Sequence, residues 1–93
     1  AVLANIPQKK RYSYQDSIFQ NCEKEQVDEI LQCLKCYAEN NGSIAKTSDE
    51  LFIHKNTLQY RLAKIKSLTG YDPRVLSEAI PLMVAVYLEE FKE

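Results

Sequence analysis

Glycine and proline are scarce in this chain of 93 residues: there are two of the former and three of the latter, which argues against a turn-rich all-β fold. Long apolar runs are missing as well. The longest, Ala79 to Leu88, is ten residues and contains Pro81, far short of the ~18 residues that would span a membrane. Cysteine is sparse and odd in number (Cys22, Cys33 and Cys36), so the even set of a secreted disulfide framework is absent and a cytoplasmic setting is expected. The opening Ala1-Val2-Leu3 has no basic flank and no initiator Met, and reads as a cut fragment, not a signal peptide. What is present, 45% hydrophobic residues and 27% charged, excludes disordered and low-complexity classes and fits one small globular domain. A helical domain is the expectation.

Charge of one sign is missing locally. From Leu51 to Tyr71 there is no acid, while Lys55, Arg61, Lys64 and Lys66 give that window a net charge of +4. Asp16 to Glu39 carries six acids and two lysines, net −4, and the C-terminal end turns acidic again with Glu78, Glu89, Glu90 and Glu93. A chain with a formal net charge of −1 has gathered its positive charge in one stretch, as a polyanion-binding face requires. A solvated helix face produces charge runs too, so periodicity has to arbitrate.

Glu25 to Asn40 has Val27, Ile30, Leu31, Leu34, Tyr37 and Ala38 at helical spacing, with Asn40-Asn41-Gly42 as its stop. Ser43 is the N-cap candidate of a short second helix through Leu51, with Ile44, Thr47, Ser48 and Leu51 on one side. Phe52-Ile53-His54 holds no Gly or Pro and is expected to form a tight packed turn. A third helix, about 55–68, turns Leu58, Leu62 and Ile65 inward and stops at Thr69-Gly70. Asp72-Pro73 opens the last segment, with Ser77 as cap of its main part and Pro81 in or near the first turn. Its expected core stripe is Ile80, Met83, Val84, Tyr87, Leu88 and Phe91, leaving Leu82, Ala85 and Val86 either as scattered surface residues or for a contact with another subunit or the missing sensor portion. Tyr12, Tyr14, Ile18 and Phe19 are read as an arm draped over the core, with a helical turn after Asp16.

A short helix, a three-residue turn and a basic helix describe a helix-turn-helix inside an all-α bundle. On a helical wheel Leu58, Leu62 and Ile65 form one narrow stripe, opposite Asn56, Tyr60, Ala63 and Ser67 and flanked by Thr57, Gln59 and Lys64. Solvated faces usually mix Glu with Lys. This face has no Glu and offers amides, hydroxyls and cations, which favours nucleic acid.

The string Asn41-Gly42-Ser43-Ile44-Ala45-Lys46-Thr47-Ser48-Asp49-Glu50-Leu51-Phe52-Ile53-His54-Lys55-Asn56-Thr57-Leu58-Gln59-Tyr60-Arg61-Leu62-Ala63-Lys64-Ile65, followed by Leu68-Thr69-Gly70-Tyr71-Asp72-Pro73, resembles the C-terminal helix-turn-helix of PucR-type and sugar-diacid (carbohydrate diacid) transcriptional regulators. The resemblance covers roughly Asp28 to Glu90. It implies a fold in the Fis-like, homeodomain-like group, with residues 25–93 as the DNA-binding domain and 1–24 as an arm or linker from a missing upstream region. It further implies that Lys55, Asn56, Thr57, Gln59 and Tyr60 enter the major groove and meet bases, while Ser43, Lys46, His54, Arg61 and Lys64 meet phosphates. Many members carry Arg where this chain has Lys55 and Gln59. The implied partners are double-stranded DNA and a second copy in a full-length homodimer, with a small-molecule effector acting only through the missing sensor portion. No membrane and no cofactor are implied.

Each of these readings has a plainer rival. Tyr60 could pack on a neighbour. His54 could touch a phosphate, cap the third helix or pack, and Asn56 could cap that helix instead of reading a base. Cys33-x-x-Cys36 lies mid-helix without the further ligands zinc needs, so both are read as ordinary half-buried cysteines and no metal is expected. Lys9-Lys10-Arg11 is read as a solvated linker in preference to a minor-groove arm. With one His and no Gly-rich motif, no enzyme is expected and no catalytic residue is named. RNA is disfavoured because exposed aromatics among the basic residues are scarce apart from Tyr60. The alternative function is a helical protein-interaction module whose basic face binds an acidic partner.

Overall fold

The computed structural model describes residues 14–89, so the expectations for Lys9, Lys10, Arg11, Tyr12 and Phe91 lie outside the described residues. Within these bounds the chain is all helical: α1 (14–18), α2 (Lys24–Glu39), α3 (Ile44–Leu51), α4 (Lys55–Thr69) and α5 (Leu76–Glu89). The helical bundle expected from periodicity is the observed fold. The expected boundaries hold to within a residue for α2, α3 and α4.

The helix ends have local causes. The Gln26 side chain accepts the Glu23 backbone N–H at 2.9 Å and starts α2. The helix stops where Asn41 and Gly42 adopt positive φ (54° and 76°), with the Gly42 N–H donating to the Tyr37 carbonyl at 2.9 Å. Ser43 caps α3, its hydroxyl accepting the Lys46 N–H at 3.2 Å. At the far end of α3, α2 is tied to it: the Cys36 thiol donates to Glu50 Oε2 at 2.7 Å, and Asn40 Nδ2 donates to the same oxygen at 3.0 Å. Burial first, then that carboxylate, push the Cys36 thiol up to about 11.

The core is assembled from all five helices. Leu34 of α2, Leu58 and Leu62 of α4 and Leu82 of α5 are wholly buried, with Ile30, Leu31, Cys33, Tyr37, Ile65, Ala85 and Val86 around them. Of the residues the sequence assigns to one core, Ile30, Leu34, Leu58, Leu62 and Ile65 are buried, while Val27, Ile44, Leu51 and Ile53 are half-buried and packed against it. Cys33 and Cys36 are buried more deeply than the half-buried reading had them. Ile18 and Phe19, at the end of α1 and just after it, are buried in the same cluster.

The last helix is rotated from the expected orientation. Leu82, Ala85, Val86 and Leu88 are buried, whereas Ile80 and Tyr87 of the expected core stripe are 59% and 48% exposed. The side carrying Leu82, Ala85 and Val86 joins the core cluster, where α2 packs along α5. The first helix is tied to α5 as well: the Tyr14 hydroxyl donates to the Pro81 carbonyl at 3.0 Å and the Gln15 amide to the Ala85 carbonyl at 3.0 Å, with Ile18 and Phe19 buried in the same cluster. That side of α5 is therefore not available to another subunit. The helix also begins before Ser77: the Val75 carbonyl accepts the Glu78 and Ala79 N–H groups at 3.0 and 2.8 Å. Pro81 thus stands in the helix interior, past the first turn.

Candidate nucleic-acid interface

The α3–α4 connection is three residues, Phe52 to His54, and its hydrogen bonds explain how it turns so tightly. The Phe52 N–H donates to the Asp49 carbonyl at 3.2 Å and the Ile53 N–H to the Ser48 carbonyl at 3.0 Å, closing the end of α3. Phe52 takes φ 57°, a left-handed conformation that costs a residue with a Cβ ~1–2 kcal/mol. The turn is packed only in part: Ile53 is half-buried, but the Phe52 side chain is 94% exposed. His54 is the N-cap of α4, its Nδ1 accepting the Asn56 N–H at 3.0 Å.

Only Leu58, Leu62 and Ile65 of α4 are buried, with Leu68 and Thr69 half-buried at its end. Every other residue of the helix is exposed, including all five proposed base readers: Lys55, Asn56, Thr57, Gln59 and Tyr60. Tyr60 is 67% exposed, against the packed alternative. Lys64 and Arg61 stand toward α2, lining a cleft with Glu29 and Cys33. Lys46 is exposed on α3, and Ser43 is half-buried with its hydroxyl already engaged as the cap. A helix of this length is about 22 Å long and carries no acid from Lys55 to Thr69. Leu58, Leu62 and Ile65 seat it in the core, with Leu68 packed against the same cluster, and the rest of its surface is left to solvent.

Sequence reasoning missed Arg74, which follows the acid-free stretch in the α4–α5 connection. Its Nε and Nη2 donate to Asp72 Oδ1 and Oδ2 at 2.9 and 3.1 Å, its backbone N–H donates to Oδ1 at 2.9 Å, and its Nη1 donates to Gln59 Oε1 at 3.0 Å. The Arg74 side chain beside Asp72 holds that buried carboxyl below its ordinary range. Gln59, on the opposite flank of α4 from Arg61, is therefore not a free amide. The Asp72-Pro73 turn was the available signal that the chain doubles back here. The residue it delivers to α4 is a matter of tertiary geometry. Among the described residues no His, Cys, Asp and Glu group is arranged to hold a metal, and no helix is long and apolar enough to cross a membrane.

The capped short helix, the closed three-residue turn and the basic helix with its exposed outer surface define a helix-turn-helix domain. Comparison with known families agrees: the profile of the PucR C-terminal helix-turn-helix domain matches residues 30–88, and the chain belongs to that family. The carbohydrate diacid regulator of Escherichia coli is 42% identical over 61 residues, which cover 66% of this chain and 16% of that protein. The purine catabolism regulatory protein of Bacillus subtilis is 34% identical over 77 residues, covering 82% of this chain and 14% of the relative. The proline-responsive transcriptional activator PutR of the same organism is 38% identical over 50 residues, 54% of this chain and 12% of its own length. The chain thus spans about a sixth or less of the curated relatives it matches, and these three are named as regulators, not enzymes. No solved structure matches it significantly.

Proposed function

We propose that this chain binds double-stranded DNA sequence-specifically, as the C-terminal domain of a bacterial transcriptional regulator, with α4 in the major groove. The observation that carries the reading is the exposed surface of α4: amides, hydroxyls, one tyrosine and cations, with no carboxylate to repel phosphates. Asn56 and Thr57 suit base edges, Asn through a bidentate pair with adenine and Thr through the thymine methyl. Lys55 and Tyr60 share that face. Arg61, Lys64, Lys46 and the outward edge of His54 suit phosphates, and the start of α3 at Ser43 adds backbone donors. Effector sensing and homodimerisation belong, on this reading, to the longer cytoplasmic regulator of which the domain is a part.

The test is selection of bound sites from a pool of random-sequence duplexes, followed by a salt titration on the winner. The expected result is one enriched motif whose log affinity falls linearly with log salt, at about 0.9 per phosphate neutralised. Equal retention of every duplex, together with tight binding of an acidic polypeptide, would move the basic face to a protein partner.

A further inference from the structure

None of the three guanidinium nitrogens of Arg74 is idle. Two grip the buried Asp72 carboxylate from the two sides, and the Asp72 N–H in turn donates to Glu78 Oε1 at 3.0 Å, which ties the unit to α5. The third nitrogen, Nη1, donates to Gln59 Oε1 at 3.0 Å. Chemistry fixes the sense of that amide. A guanidinium has donors and no acceptor, so the Gln59 oxygen faces Arg74 and its NH2 group faces away.

A glutamine reads adenine by accepting from N6 and donating to N7 at once. Here one lone pair of the acceptor is already occupied. The other lies beside a positive charge held in place by Asp72, which opposes the approach of an adenine amino group. The two N–H donors of Nε2 remain. The major-groove edge that takes two donors, and that a nearby cation favours, is guanine with O6 and N7.

We propose that Arg74 is a specificity-determining residue that acts through Gln59: it occupies Oε1 and makes Gln59 a donor-only reader, so that the base under Gln59 is guanine and not adenine. This rests on the DNA-binding reading above and adds to it the identity of one base. Because the Asp72 fork sets the guanidinium before DNA arrives, the preference is built into the free domain.

The experiment uses the 93-residue chain and random-sequence duplexes. Gln59→Met should flatten the preference at one position of the selected site, which marks the base Gln59 reads. The unsubstituted chain should prefer guanine there over adenine by about tenfold. The double variant Asp72→Asn/Arg74→Met removes the guanidinium without stranding a buried carboxylate. It should shift that position alone toward adenine by about tenfold and leave the other positions as they were. In a Gln59→Met background the same double change should do nothing at that position, an outcome that a merely structural role for Arg74 does not produce. Should the double variant melt, Gln59→Glu keeps the Asp72 fork, presents acceptors only, and should move the preference to cytosine.

Adenine preferred by the unsubstituted chain overturns the proposal. So does a site that Gln59→Met leaves unchanged, or a guanine preference that survives in the folded double variant. No enriched duplex at all overturns the DNA reading together with it, whereas an enriched site lacking guanine under Gln59 overturns this inference alone.

Discussion

His54 and Asn56 share one hydrogen bond: the imidazole Nδ1 accepts the Asn56 backbone N–H at 3.0 Å. The histidine therefore performs the capping that the sequence left open between the two residues. Asn56 is left with an exposed side chain at the first turn of α4, free to meet a base.

That division of labour separates stability from affinity. His54→Ala should lower unfolding stability by about 1 kcal/mol, and His54→Ser should restore most of it, since serine caps as well as histidine here. Asn56→Ala should leave the melt unchanged and weaken the selected duplex by about 1–3 kcal/mol, with far less effect on random DNA. Thermal melts and titrations of both duplexes decide it, and an Asn56→Ala chain that melts early would return the cap to Asn56.

Arg61 and Lys64 should behave differently from Asn56. They stand at the α2 edge of α4, beside the cleft that holds Glu29, and on the proposed reading they meet phosphates and not bases. Replacing either with Ala should weaken specific and random duplexes about equally and reduce the salt slope by about one unit. Loss of discrimination without a change in slope would place them on bases.

The orientation of α5 can be checked by stability alone. Leu82 and Leu62 are wholly buried, so Leu82→Ala and Leu62→Ala should each cost about 2–5 kcal/mol. Ile80 is 59% exposed, and Ile80→Ala should stay within about 0.5 kcal/mol of the parent chain. Denaturant unfolding of the three variants reads this directly. A costlier change at Ile80 than at Leu82 would mean the helix is turned the other way.

The Asp72–Arg74 pair predicts an acid limb. The side-chain hydrogen bonds from Arg74, and then its backbone N–H, hold the Asp72 carboxyl below its ordinary value. A carboxyl whose folded pKa is lowered contributes stability above its unfolded pKa and loses it as pH falls through the folded one. Asp72→Asn should therefore be less stable than the parent chain at pH 7, and the gap should narrow as pH drops below about 4. Urea melts of both chains across acid buffers measure it, and a gap independent of pH would remove the charge from the explanation.

The sequence by itself determined the helix count from Glu25 onward, the three-residue turn, the inward stripe of α4 and the family. Each of these is written in local order. Leu58, Leu62, Ile65 and, at the helix end, Leu68 are the large aliphatic residues of a largely polar segment and recur at three- and four-residue spacing, so one face of α4 was marked for burial. The acid-free window needs no fold to be seen. Three things were decided only by tertiary structure. From Ala79 to Leu88 apolar residues occupy every side of α5, so periodicity could not choose a face, and the choice fell to packing against α2, with Tyr14 and Gln15 of α1 bonded to the same helix. The cap of α4 went to His54 because the closed turn at Phe52 and Ile53 sets its imidazole under the Asn56 N–H. Gln59 and Arg74 are 15 positions apart, and nothing local links them. They meet because the connection after Gly70 folds back beside α4, and a hydrogen bond depends on where two side chains arrive, not on how the chain between them is spelled.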